Sequence, residues 1–179
     1  LLSSIRGAAV TSIKIEGVTH EFSSIPGVIE DVTEIILNIK QLALKLNDVE
    51  STKINLKVSG PKHVKGSDID CGSHVEVLNK DLHICTLDSK ASLNMVLSVS
   101  EGKGFVPANV NAEEELPLGT IPVDSFFSPV KRVSYKVENS RVGQVTDYDK
   151  LVLQIETNGS VVPEDSVAVA ARIIDEQLK

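Results

Sequence analysis

The chain has 179 residues, a formal charge of −7, 3% aromatic residues and no Trp. That length is enough for one domain or two small ones with a real core, which must rest on Val, Ile and Leu. The acidity and the scarcity of rings argue against a duplex-DNA binder and against a stacking platform for single-stranded nucleic acid.

Cys71 and Cys85 are too few for a disulfide scaffold in a chain of this size and read as reduced thiols. No apolar run approaches the ~20 residues of a membrane-spanning helix. The opening Leu1-Leu2-Ser3-Ser4-Ile5-Arg6-Gly7 begins without Met and lacks the charged start and apolar stretch of a signal peptide. It reads as the interior of a longer chain, entered near the end of a helix.

In chain order, Ala8–Glu16 alternates as a strand, with Gly17 closing it. Pro26–Leu46 is predicted to be the clearest helix. Val28, Val32, Ile35, Ile36, Ile39, Leu42 and Leu46 recur at spacings of three and four, Glu30 and Asp31 lie near its start, and Lys40 and Lys45 lie toward its end. From Thr52 to Val106 the period becomes two. Lys53–Val58, His74–Leu78, His83–Leu87 and Ala91–Val99 are predicted strands, with turns at Ser59-Gly60-Pro61 and at Gly102/Gly104. Glu113–Gly119 is an acidic loop. Pro122–Phe127 and Val130–Val137 are strand-like, Asn139–Lys150 is a polar loop, and Leu151–Thr157 alternates again before the Asn158-Gly159 turn. Pro163 then opens a helix, followed by Glu164 and Asp165. Its stripe of Val167, Ala170, Ala171, Ile174 and Leu178, broadened by Val169 and Ile173, is wide for a terminal helix. It packs on the adjacent strands or on another subunit, and periodicity does not choose between them.

Candidate chemistry is sparse. Cys71, His74, His83 and Cys85 form Cys-x2-His-x8-His-x-Cys, four donors that suit zinc. The spacing is not a usual finger pattern, and His83 and Cys85 alternate on one strand, so two core-facing side chains explain them. Gly102-Lys103-Gly104 lacks the following helix that a phosphate loop needs and reads as a hairpin turn. Asp147 and Asp149 read as turn or solvated carboxylates rather than ligands of a catalytic Mg²⁺. Glu113, Glu114 and Glu115 form a solvated loop or a docking patch for a basic partner. Read from its residues, the chain is a reduced, acidic, β-rich protein with two helices and no evident active site. That favours a binding or assembly module over an enzyme.

A series of blocks carries a resemblance. They include Gly17-Val18-Thr19-His20-Glu21-Phe22-Ser23, Gly27-Val28-Ile29-Glu30-Asp31-Val32, Gly102-Lys103-Gly104-Phe105-Val106-Pro107-Ala108 and Ser128-Pro129-Val130. Arg141-Val142, Thr146-Asp147-Tyr148-Asp149-Lys150-Leu151, Glu156-Thr157-Asn158-Gly159, Pro163-Glu164 and Ala170-Ala171 follow in order. Together they resemble the N-terminal domain of the bacterial RNA polymerase α subunit family. The resemblance implies an α+β fold. A discontinuous dimerisation subdomain of strands and helices (residues 1–5 and 128–179) would hold an inserted, mostly β subdomain (6–127). It implies a non-catalytic scaffold subunit that pairs with a second α and binds β and β′. No cofactor is expected in this chain, since the catalytic Mg²⁺ lies in the large subunits.

By the same resemblance, Val167, Ala170, Ala171, Ile174 and Leu178 would form the dimer contact. Leu2, Ser3, Ser4, His20, Glu21 and Gly27 would meet β, Arg141 and Lys150 would face β′, and Glu113, Glu114 and Glu115 would touch an activator. The family's first strand, most of its first helix and its DNA-binding C-terminal domain have no counterpart in these residues, so this chain is not expected to bind promoter DNA. Family members commonly lack a cysteine at position 71, which counts against zinc. The implied location is the bacterial cytoplasm, with a plastid polymerase as a variant. The rival readings are a stand-alone β-rich binding protein and a zinc hydrolase built on Cys71, His74, His83 and Cys85.

Overall fold

The computed structural model describes residues 1–112, 115–143 and 145–179; the side chains at 141, 142 and 145–147 lie outside that description. Strands take 44% of the chain and helices 18%, so the fold is mostly β.

The body is built on β1 (Arg6–Ile15), β2 (Leu44–Leu46), β3 (Ser51–Ser59), β5 (Val75–Val77), β7 (Ser92–Lys103) and β9 (Thr120–Pro122). They run in the order β3-β7-β1-β2-β5, with β9 also paired to β1, and curl into a nearly closed, barrel-like sheet. The long antiparallel ladders pair β1 with β7 (Arg6↔Lys103 to Ile15↔Met95) and β3 with β7 (Ser51↔Ser100 to Ser59↔Ser92). Alternation sends Ile54, Leu56, Leu93, Met95, Leu97, Val99, Ile13 and Ile15 into one core and leaves Lys53, Asn55, Lys57 and Asn94 outside. A second ribbon, β4 (Lys62–Lys65) with β6 (His83–Leu87), adds Val64, Ile84, Cys85 and Leu87. Helix α1 (Val32–Ile39) closes the core with Val32, Ile35, Ile36 and Ile39.

That helix is much shorter than the predicted Pro26–Leu46. Gly27 sits at φ +79°, which bars a helical start, and the Asp31 side chain accepts from Glu34 N at 2.8 Å as the true N-cap. At the other end the Asn79 amide breaks the run. It donates to Gln41 O and accepts from Ala43 N, both at 2.8 Å, so that Leu44–Leu46 pairs with β5 instead of continuing the helix. The apolar spacing of Leu42 and Leu46 is met by burial in a turn and a strand.

Other boundaries also differ. Gly102 lies within β7, opposite Gly7, and the chain does not fold back after Gly104 as a hairpin. Instead β8 (Phe105–Val106) pairs with β10 (Ser125–Phe126), and the short helix α2 (Ala108–Asn111), absent from the predicted elements, bridges them. Asp124 fastens this corner: Oδ1 accepts from Ala108 N at 2.8 Å and Oδ2 from Lys40 Nζ at 3.0 Å. Both interactions hold its carboxyl below the usual range.

The largest correction is the predicted polar loop Asn139–Lys150. It belongs to a long hairpin of β11 (Val130–Val142) and β12 (Val145–Thr157), turning at Gly143 with φ +65°. The ladder continues through Glu138↔Lys150, Asn139↔Asp149 and Ser140↔Tyr148, polar pairs that hide strand periodicity in a one-dimensional reading. Helix α3 (Pro163–Leu178) follows, with Pro163 in the first turn and Ser166 N bonded to Val162 O. Its connection is seated by Asn158 N to Pro129 O (2.8 Å) and Thr157 Oγ1 to Val161 O (3.0 Å).

Candidate assembly surfaces

The hairpin is amphipathic. Directly opposed residues share a face, so Val133/Ile155, Tyr135/Leu153 and Val137/Leu151 line one side. The other side carries Arg132/Glu156, Ser134/Gln154, Lys136/Val152 and Glu138/Lys150. Among the described residues most of the apolar side is uncovered: Tyr135 is 74% exposed and Val137, Leu151 and Leu153 are exposed too, while Val133 and Ile155 are half-buried. A two-stranded ribbon is marginal in water unless its apolar face is buried.

Helix α3 shows the same surplus. Among its described residues only Ser166 is buried; Ile174 is 61% exposed, and Val169, Ala171 and Leu178 are exposed, while Val167, Ala170 and Ile173 are half-buried. The expected stripe exists; its first residues, Val167 and Ala170, are partly covered, and Ala171, Ile174 and Leu178 lie open. The hairpin face is not singled out by the sequence, because reading 139–150 as a polar loop leaves the two predicted strands unpaired.

The residues expected to meet β form two separate sites. Leu2 and Ser3 are exposed where the N-terminal segment lies against Gly104, at the Arg6 end of β1. His20, Glu21 and Gly27 follow its other end, so about 30 Å of strand separates the groups. The second group sits in a fixed loop: Thr33 Oγ1 donates to Glu21 O at 2.9 Å, and Val32 N to Ser23 O at 3.2 Å. The loop presents Phe22 (82% exposed) and Ile29 (78%), two side chains not singled out from the sequence. A further exposed aromatic pair, Phe105 and Phe126, packs with tilted rings whose centroids lie 4.8 Å apart on the β8–β10 ribbon.

Lys150 is exposed on the polar hairpin face opposite Glu138. The Arg141 side chain, and Glu113 and Glu114 altogether, lie outside the described residues; Glu115 is exposed.

The four candidate zinc donors take other roles. His83 does not face the core: it is exposed, and its Nε2 donates to Glu30 Oε1 at 2.8 Å. Cys85 is fully buried, and burial, helped by the Glu30 charge, pushes its thiol up to about 12. Cys71 donates to Ile69 O, and a His74 ring nitrogen lies 3.2 Å from Asn47 O. Among the described residues no three His, Cys, Asp or Glu side chains are grouped to hold a metal ion, and no helix is long and apolar enough to cross a membrane.

A comparison with protein families agrees with a surface built for partners. Residues 13–128 match the sequence model described as RNA polymerase Rpb3/RpoA insert domain. The match runs from the second half of β1 to just before β11.

Proposed function

The chain belongs to the RNA polymerase Rpb3/RpoA insert-domain family, and on that premise we propose that it is the α-type assembly subunit of a bacterial DNA-dependent RNA polymerase. In this reading residues 6–127 form the inserted subdomain and residues 1–5 with 128–179 the assembly subdomain. The chain supplies no catalytic group and no cofactor; the catalytic Mg²⁺ belongs to the large subunits. It works in the cytoplasm, or in a plastid if the polymerase is of that kind.

One observation carries the reading: the apolar hairpin face and the α3 stripe lie exposed side by side in sequence, on a body whose own core is complete. Burying a Leu- or Val-sized side chain contributes about 1.5–3 kcal/mol, so covering Val137, Leu151, Leu153 and Ile174 favours association strongly. We assign the stripe Val167, Ala170, Ala171, Ile174 and Leu178 to a second α subunit. The hairpin, with Arg141 and Lys150, is assigned to β′, and the Leu2–Ser4 and His20–Gly27 segments to β. Glu113–Glu115 is left to a basic activator surface.

The test is reconstitution of the full-length protein with the two large subunits. Stoichiometric assembly is expected; a protein that binds neither would refute the proposal. Ile174→Asp should turn dimer into monomer by solution mass. An unpaired buried charge costs several kcal/mol, and two-fold symmetry applies it twice. An unchanged dimer would place Ile174 outside the contact.

A further inference from the structure

The loop that presents Phe22 and Ile29 is tied to the body at its later end by the Glu30 carboxylate, which also caps the N–H of Thr86. Glu30 Oε2 accepts from Thr86 N at 2.7 Å, and Oε1 accepts from His83 Nε2 at 2.8 Å and Thr86 Oγ1 at 3.2 Å. Its side chain is only 14% exposed. The backbone follows the same track: Ile29 N donates to Thr86 O at 3.1 Å, Asp88 N to Gly27 O at 2.8 Å, and Val28 bridges to Leu87. Strand β6 is thus extended on its outer side by residues 27–30.

This arrangement calls for an explanation beyond stability. Burying a carboxylate is costly unless its oxygens are fully bonded, and here a strand N–H, an imidazole and a hydroxyl bond it. Here the charge secures a stretch whose outermost side chains, Phe22 and Ile29, bury almost nothing within the chain. Fixing an exposed apolar segment before it binds removes an ordering cost from association.

We propose that Glu30 is a positioning residue for assembly. With His83 and Thr86 it preorganises the His20–Asp31 loop so that Phe22 and Ile29 enter an apolar surface of the β subunit. This rests on the docking role proposed above for the same loop, and adds the residue that makes the loop competent.

The experiment titrates full-length protein against the β subunit and follows amide exchange in parallel. Glu30→Ala should weaken binding about tenfold, equivalent to about 1.4 kcal/mol. It should speed exchange at Ile29 far more than at the Leu97 amide, deep in β7. Glu30→Gln should fall between, because its amide oxygen still accepts from Thr86 N. Wild-type affinity in Glu30→Ala overturns the proposal. So does a loss of binding with exchange at Leu97 accelerated as much as at Ile29, since the residue would then be merely structural. Phe22→Asp separates the two layers. Lost binding there with normal Glu30→Ala binding removes only the role of Glu30, whereas normal binding by Phe22→Asp removes the docking loop itself.

Discussion

The body and the C-terminal hairpin with its helix are built from similar residues and use them in opposite ways. In β7, Leu93, Met95, Leu97 and Val99 alternate with polar neighbours and are wholly enclosed. In β12, Leu151 and Leu153 alternate in the same manner and remain exposed. The strand pattern is equally good in both; what differs is a second layer. Strand β7 has β3 and β1 beside it and α1 closing the core, whereas among the described residues β12 pairs only with β11 and is touched by α3. An amphipathic strand therefore declares a need for cover without saying whether the cover is internal.

The sharpest way to break this comparison is a matched pair of truncations. Leu97→Ala should destabilise the body by about 2–5 kcal/mol in urea or thermal unfolding, through lost burial and a cavity. Leu153→Ala should change the same transition by less than about 0.5 kcal/mol, as at ordinary surface positions. Equal losses would mean the hairpin belongs to the cooperative core. A smaller effect is expected at the start of α1, where Asp31→Ala removes the bond to Glu34 N and should cost about 1 kcal/mol in body stability. Its loss should leave hairpin exchange untouched.

The smallest effect is a pH dependence confined to the body. Burial alone would raise the Glu30 carboxyl, but bonds from His83 and Thr86 outweigh it and hold it low. Asp68 behaves likewise: Lys62 and Lys65 N overcome its burial. With Asp124, these groups are depressed on folding, so their contribution is present above the ordinary carboxylate range and is lost as pH falls through it. A melting temperature measured from neutral pH down to about pH 3 should fall in the acid range. The decline should flatten when Glu30→Gln, Asp68→Asn and Asp124→Asn are combined; an unchanged decline would remove these three groups from the account of acid sensitivity.

Much of this was readable in advance where local pattern and tertiary partner agree. Lys53–Val58 alternates and became a strand, and Pro163 with Glu164 and Asp165 opened the helix where expected. The failures come from partners distant in sequence. Nothing near Gln41 shows that Asn79 will end the helix there, and the polar pairs from Glu138/Lys150 to Ser140/Tyr148 look like a loop until the strands are laid side by side. Likewise His83 looked core-facing by alternation, but its partner is Glu30, 53 residues earlier. Among the exposed apolar surfaces the α3 stripe was legible from its spacing. Phe22 and Ile29 were not, because exposure of a lone apolar residue has no sequence period.

The most direct test compares amide exchange in the 179-residue chain alone and with the large polymerase subunits added. Alone, the amides of β11 and β12 should exchange much faster than those of β1 and β7; with the subunits, the hairpin should become protected and the body remain as it was. A hairpin already as slow as β7 in the free chain, or one that gains no protection on mixing, would contradict the assignment of this face to assembly.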